Sequence, residues 1–413
     1  LIGGGDAGTE LQVEGTPVLT TTDMEQIYRE IGEKIDTSGM TTMGVMATLR
    51  TMLEHIGLAE TDANLMMTGG PDGDLGGNQI QSFKGRICLV VDGGSILFDP
   101  DGLDRAELMR IAFARHTRPR RDSMAYPVEK LGPRGFRVPR AHGRFTLPDG
   151  TEVPDGAFFH RHFLTNPESR RYIEAARIQV FVPCGGMKDT INGENVRAFL
   201  SNFRELRLIV EGANVFFDET ARDVIARESP ILQVKDSTAN KGGVTCSAIA
   251  EVLTSFLLGD RYEKMLVENP SLRADLIRSV FDLITANAVA ETRGLLALHK
   301  ATGQPLHALS IRTSLEILSL QEKLATRLEE LLADEEILHA VIRAYVPRVL
   351  LDQLGTKRIL SVLERPELKP YRDAIVTKKI ASMALYRHAA EWEPFLHRLE
   401  QDLVGTVREL IRG

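Results

Sequence analysis

Five short apolar runs, each ending in a polar or glycine-rich corner, set the rhythm of the first 250 residues: Leu65 to Thr68, Ile87 to Val91, Ile178 to Val182, Leu206 to Val210 and Ile231 to Val234. Runs this short and apolar, separated by long crossovers, fit the strands of a parallel sheet buried on both faces by helices. A helix is predicted ahead of the first run, where Val45, Leu49, Met52 and Ile56 share one face. The connection between the second and third runs is too long for one crossover. Its segment Pro127 to Pro167 is crowded with Pro, Gly, Arg and His and carries turn signals such as Pro148-Asp149-Gly150, so about 115–170 reads as an insertion. After Ser247 only helical spacing remains. Ile277, Phe281, Ile284 and Ala288 form one apolar stripe and Ile317, Leu320, Leu324, Leu328 and Leu331 another, and Pro347, Pro366 and Pro370 divide the tail into several helices. No internal repeat or low-complexity segment interrupts this plan.

Composition narrows the class without changing the picture. With 413 residues, 43% apolar and 26% charged, the chain reads as globular, long enough for two or three domains. It has no unbroken stretch of about 18 apolar residues, and Leu1 to Glu10 lacks a basic start followed by an apolar run, so neither a membrane span nor a secretory leader is expected. A formal net charge of −7 with mixed signs argues against nucleic acid as a partner. The nearest basic cluster, Arg115 to Arg121, reads as a solvated face or as a contact with an acidic neighbour in an assembly. Cys88, Cys184 and Cys246 are odd in number, far apart and set in apolar or glycine-rich surroundings, which fits a reducing, cytoplasmic setting better than a disulfide framework.

In an open parallel sheet, ligands bind beyond the carboxyl ends of the strands, so the five corners are where chemistry is expected. The first reads Gly69-Gly70-Pro71-Asp72-Gly73-Asp74-Leu75-Gly76-Gly77 between a strand and a helix. Glycines there permit a tight turn, close approach of backbone N–H groups to a pyrophosphate, and tight helix-on-strand packing. A flexible surface turn is the alternative. Gly70, Gly73 and Gly76 span one residue more than the usual fingerprint, and Asp72 and Asp74 repel a pyrophosphate unless turned away. Asp92 ends the second run 19 residues after Gly73, near the spacing of about 20 for an acid that binds a ribose and disfavours a 2′-phosphate. Asp92-Gly93-Gly94-Ser95 equally suits a hairpin turn, and one residue can serve both purposes.

The third corner, Pro183-Cys184-Gly185-Gly186, and the fourth, Glu211-Gly212-Ala213-Asn214, place small residues and an amide at strand ends, and that amide suits a nicotinamide carboxamide. Cys184 has no suitably placed His near it in sequence and reads as a structural thiol. The fifth, Asn240-Lys241-Gly242-Gly243-Val244-Thr245-Cys246-Ser247, opens a helix with backbone donors and hydroxyls, suited to an anionic or amide ligand or simply to helix capping. His160 and His162 lie in a strand-like stretch without further ligands at metal spacing, so no metal site is expected.

Together these corners resemble the NAD-specific glutamate dehydrogenases of the large-subunit type. The resemblance is carried in order by Thr41-Thr42-Met43-Gly44-Val45, Gly70 to Gly76, Val90-Val91-Asp92 with Asp99-Pro100-Asp101-Gly102-Leu103-Asp104, Val182-Pro183-Cys184, Glu211 to Asn214, and Asn240 to Val244. It runs from about Asp36 to the C-terminus. Leu306 to Leu324 is similar to a late helix of the smaller glutamate dehydrogenases, and the last eighty or so residues resemble the large class alone.

The resemblance implies a lead-in over 1–40, a Rossmann-like NAD-binding α/β domain over 41–255 and an all-helical domain over 256–413. It also implies site roles. Thr41, Asn214 and Asn240 would hold nicotinamide and its ribose. Gly70, Gly73, Asp74, Leu75 and Gly76 would form the pyrophosphate loop and Asp92 would meet the adenosine ribose, with Pro183 and Cys184 lining the cofactor. Val244 and Ser247 would touch glutamate. The implied activity is oxidative deamination of L-glutamate to 2-oxoglutarate and ammonia by a homo-oligomer.

Relatives acting on leucine, phenylalanine or valine share the corners but should lack the insertion and the long tail. A non-catalytic nucleotide-sensing or assembly module would keep the fold and could bind NAD, with no hydride transfer even when joined to its upstream half. One departure matters: the family's lysines in a Gly-Gly-x-Lys-Gly-Gly segment, and its catalytic acid, have no counterpart here, since Gly3 to Gly5 carry no lysine among them. No catalytic residue is therefore identified, and the lysine and acid are expected upstream in a longer subunit. This chain alone is expected to bind NAD(H) yet to turn over saturating glutamate poorly or not at all; robust steady-state NADH production would place the catalytic lysine within it.

Overall fold

The computed structural model describes residues 39–113 and 122–412, in two compact units, one closing at Asn240 and the other opening at Lys241. The lead-in up to residue 38 and the cluster Arg115 to Arg121 lie outside the described residues. The sheet-bearing unit ends ahead of the expected boundary at 255.

All five apolar runs are strands. In chain order the first unit contains α1 (Met40–His55), β1 (Asn64–Thr68), α2 (Asp74–Ser82), β2 (Arg86–Val91), β3 (Ser95–Phe98), α3 (Arg105–Phe113) and β4 (Phe136–Pro139). There follow a small ribbon, β5 (Phe145–Thr146) and β6 (Glu152–Val153), then α4 (Gly156–His162), α5 (Arg170–Ala176), β7 (Val180–Pro183), α6 (Val196–Asn202), β8 (Leu208–Val210), α7 (Glu219–Glu228), β9 (Leu232–Val234) and α8 (Asp236–Ala239). The sheet order is β4-β3-β2-β1-β7-β8-β9. From β2 to β9 every pairing is parallel, and the chain reverses its direction of travel across the sheet between β1 and β7.

The expected wholly parallel sheet needs correction, because β3 and β4 add an antiparallel pair beyond β2, making the sheet mixed. The cause is the corner after β2: Asp92 N–H donates to Ser95 O at 3.1 Å, so Asp92 to Ser95 is a hairpin turn. β4 is drawn from the stretch read as an insertion. It is held by ring packing of Phe136 on Phe98 at 4.9 Å and on Tyr172 at 5.1 Å. The stretch holding His160 and His162 is also corrected from strand-like to helical, since the Asp155 carboxylate caps α4 by accepting from Ala157 N–H at 3.1 Å. Beneath β7, Phe181 packs against Phe199, Phe216 and Phe217, part of a continuous apolar core.

Among its described residues the second unit is built of helices alone. The longest, Pro270–Thr302, starts at Asn269, whose side chain accepts from Leu272 N–H at 3.0 Å, and stops at Gly303 with φ +71°. The stripe from Ile317 to Leu331 is broken at Arg327 between helices Leu306–Thr326 and Leu328–Leu332, yet Ile317, Leu320, Leu324 and Leu331 still share one core with Trp392 and Phe395. Pro347 and Pro370 stand at helix starts, where their fixed φ is tolerated. By length and composition the helical run 236–261 is apolar enough to cross a membrane, against expectation, because Lys241 and Glu251 merely interrupt it. Ile249, Leu253, Leu257 and Leu258 of this run are buried and its segments pack on Pro270–Thr302 and Thr356–Leu363, while Val244, Val252 and Phe256 are exposed.

Candidate functional site

The first corner is shaped by close backbone packing at the point where the sheet reverses direction. Gly69 has φ +80°, and a Cβ there would lie 2.8 Å from Gly185 N, so the ends of β1 and β7 meet with no room for a side chain. Thr68 Oγ donates to Gly185 O at 2.5 Å across the same junction. Gly73 N–H donates to Gly70 O at 3.1 Å, and Gly73 then serves as the N-cap of α2. A Cβ on Gly76 would lie 2.4 Å from Gly70 O, so the third glycine lets the first turn of α2 settle on the loop. Asp74 is exposed in that turn, where a carboxylate complements the helix dipole. Leu75 is half-buried and meets Gly212, where a Cβ would lie 2.7 Å from Leu75 Cδ2. The result is a strand, a glycine turn and a helix N-terminus, the arrangement that receives a diphosphate.

Asp92 ends β2 beside this turn, and a Cβ on Gly70 would overlap its carboxylate. The carboxylate is 7% exposed. Its Oδ1 accepts from Gly94 N–H at 2.9 Å, Ser95 N–H at 3.1 Å and Ser123 Oγ at 2.6 Å, and its Oδ2 from Ser123 N–H at 2.8 Å. Asp92 thus staples the hairpin and the following segment, and the hairpin reading of this corner holds. His160 Nε2 donates to Asp92 O at 2.7 Å, and burial lowers its pKa, keeping the ring neutral. His160 is therefore committed to the backbone.

The third and fourth corners are joined by Ala213 N–H donating to Pro183 O at 2.7 Å. Cys184 is adjacent; burial pushes its thiol well above the ordinary range, and its Sγ lies 3.6 Å from Val182 O. Asn214 is exposed and Asn240 half-buried, and the structure brings them together: Asn240 Nδ2 donates to Gly212 O at 3.0 Å and to Asn214 Oδ1 at 2.6 Å. Thr41 is half-buried in the first turn of α1. Val244 and Ser247 are exposed in the second unit, Val244 in the short helix Gly242–Cys246 and Ser247 at the start of a π-helical turn, Ser247–Leu253. Among the described residues no group of three or more His, Cys, Asp or Glu side chains is placed to hold a metal.

Beneath the fourth corner lies a polar cluster that sequence reasoning missed. Glu211 is 0% and Arg222 2% exposed, and they pair through Arg222 Nε to Oε1 at 2.9 Å and Nη2 to Oε2 at 2.6 Å. Gln233 Nε2 donates to Glu211 Oε1 at 2.9 Å, and Asp236 Oδ1 lies 3.9 Å from Arg222 Nη2. Burial raises the Glu211 carboxyl to about 7, against the pull of the Arg222 guanidinium. Two signals were available in sequence: a carboxylate directly continuing an apolar strand, and Arg222 set among Ala221, Val224 and Ile225 on the inward face of α7.

Residues 32–264 match the family model described as Glutamate/Leucine/Phenylalanine/Valine dehydrogenase. The chain is 35% identical over 367 residues to glutamate dehydrogenase 2 of Dictyostelium discoideum, covering 87% of this chain and 33% of that protein. It is 33% identical over 368 residues to the probable NAD-specific glutamate dehydrogenase of Schizosaccharomyces pombe, covering 87% and 31%. The chain thus spans about a third of the length of these relatives. Among solved structures, Plasmodium falciparum glutamate dehydrogenase 2 aligns at 14% identity with a TM-score of 0.42, over 65% of this chain and 48% of that one.

Two substitutions test the packing at this site. Arg222→Met leaves the buried Glu211 carboxylate without its cation and should cost about 3–5 kcal/mol in denaturant unfolding, most of it recovered when Glu211→Leu is added; a single substitution within 1 kcal/mol of the parent would contradict the pairing. Gly76→Ala should destabilise by about 1–3 kcal/mol, despite the ~1 kcal/mol helix-propensity gain, because the methyl meets Gly70 O. A raised urea midpoint for that variant would mean the helix stands clear of the turn.

Proposed function

The chain belongs to the Glutamate/Leucine/Phenylalanine/Valine dehydrogenase family, and from that premise we propose that it forms the coenzyme-binding and helical part of an NAD-dependent glutamate dehydrogenase. The reaction is oxidative deamination of L-glutamate to 2-oxoglutarate and ammonia. The observation that carries this reading is the glycine turn at the strand reversal with the Asn214–Asn240 amide pair on one flank and Asp92 on the other. The bound nicotinamide supplies hydride acceptance.

What this chain's residues do is bind and orient. The glycines at 69 and 76 let backbone pack directly on backbone, where a Cβ would clash with Gly185 N or Gly70 O, and the first turn of α2 so placed has N–H groups and a positive dipole end to offer a diphosphate. β2 and β8 are three strand spacings apart in the sheet order, about 14 Å, so Asp92 and the amide pair flank the turn at a separation suited to an extended dinucleotide. Asn240 Nδ2 is spent on Gly212 O and Asn214 Oδ1, so the pair offers a free donor, Asn214 Nδ2, and a free acceptor, Asn240 Oδ1, matching a primary carboxamide. Asp92, already stapled, offers the ribose side of the pocket a fixed negative charge that disfavours a 2′-phosphate.

Val244 and Ser247 are the residues of the helical unit that would meet the glutamate stem or side-chain carboxylate. Glutamate, rather than another amino acid of this family, is supported by the naming of the two curated relatives. Assembly as a homo-oligomer is part of this reading, and so is a cytoplasmic location, supported by Cys88, Cys184 and Cys246 standing outside any disulfide. With the intact protein, NAD reduction should be at least about tenfold faster with glutamate than with leucine, phenylalanine or valine, ~1.4 kcal/mol of transition-state discrimination. Equal or greater rates with an apolar amino acid would overturn the substrate assignment.

A further inference from the structure

Asn214 is followed by a residue in a conformation it does not favour. Val215 has φ +50°, and a β-branched side chain is strongly disfavoured in the left-handed region. Such a backbone persists when its surroundings over-determine it. Two hydrogen bonds do so here. Val215 N–H donates to Asp236 Oδ2 at 2.7 Å, and Val215 O accepts from Asp189 N–H at 2.8 Å, Asp189 itself having φ +52°. A backbone N–H held by a carboxylate is among the stronger hydrogen bonds a protein makes.

Asp236 is in turn fixed. It is 6% exposed, its Oδ1 accepts from Ser237 N–H at 2.7 Å, and the guanidinium of Arg222, anchored on Glu211, stands 3.9 Å from the same oxygen. Asp236 therefore ties the corner after β8 to the corner after β9. The Asn214–Asn240 hydrogen bond spans the same two corners.

From this arrangement, and resting on the coenzyme reading above, the structure assigns Asp236 as a positioning residue for the nicotinamide carboxamide: its carboxylate holds Val215 left-handed and thereby keeps the Asn214 amide in register with Asn240. Without that acceptor, Val215 relaxes to negative φ, the peptide joining it to Asn214 rotates, and the donor–acceptor pair presented by the two amides is lost. The diphosphate cradle, built from Gly69 to Gly76 and anchored on β1 and β7, shares no hydrogen bond with Asp236 and stays intact.

The test compares two ligands on the intact protein: NADH, which carries the carboxamide, and ADP-ribose, which lacks it. Asp236→Ala should weaken NADH binding about tenfold or more, ~1.4 kcal/mol, with ADP-ribose affinity changed less than about twofold. Adding Val215→Gly should restore most of the NADH affinity, since glycine enters positive φ without penalty. Unchanged NADH affinity, parallel loss of both ligands, or no rescue by Val215→Gly would each overturn the assignment. Should Asp236→Ala fail to fold, Asp236→Leu carries the same comparison: close to Asp in shape but with no acceptor for the Val215 N–H, it supports the assignment if NADH binding is selectively lost and refutes it if the NADH titration is unaltered. If the parent protein binds neither ligand, the coenzyme reading fails first and this assignment with it.

Discussion

Where β1 and β7 end side by side, two backbones approach so closely that a side chain on Gly69 would clash with Gly185 N at 2.8 Å and one on Gly185 would crowd Gly69 Cα at 3.1 Å. That contact is possible because the strand order reverses there: β2 lies to one side of β1 and β7 to the other, so the connecting segments leave in opposite directions and open a crevice between them. The other corners are arranged around it. Gly76 lets α2 drop onto the turn, Gly70 makes room for Asp92, and Gly212 makes room for Leu75 and Pro183 O. Small residues at these places are the condition for backbone donors, rather than side chains, to line the crevice.

A second constraint works from below. A carboxylate at the end of a buried strand is costly unless a cation meets it, and Arg222 reaches in from α7 to do so with two parallel hydrogen bonds. Because Gln233 of β9 and Asp236 of α8 gather at the same guanidinium–carboxylate pair, the ends of β8 and β9 and the helix between them are tied together. The strain at Val215 is held by this cluster. The candidate site is thus rigid for electrostatic reasons on one flank and for reasons of backbone packing on the other.

Much of this was legible in the linear pattern, for identifiable reasons. Parallel strands buried on both faces must be apolar throughout, so Leu65 to Thr68 and Ile87 to Val91 announce themselves without a partner in view. Ser95 to Phe98 and Phe136 to Pro139 did not. Each is four residues long, one hides behind a glycine hairpin and the other sits among prolines and arginines, and what makes them strands is mutual pairing and the stacking of Phe98, Phe136 and Tyr172. The histidine stretch 156–162 was misread for a related reason: seven residues are too few for helical periodicity to outvote local composition, and the Asp155 cap decided it.

The succession of strands and corners along the chain and the glycines that allow close approach were set by the sequence alone, because these features depend on residue type and local spacing, while Asn214 and Asn240 stood as candidates through the family resemblance and the fold brought them together. Tertiary structure alone decided that Arg222 lies against Glu211, that Asp92 spends its carboxylate on Ser123, and that Val215 is bent left-handed against Asp236. Those partners are 11, 31 and 21 positions apart. A buried charge takes whatever counter-charge the folded chain brings to it, and no local pattern carries that distance.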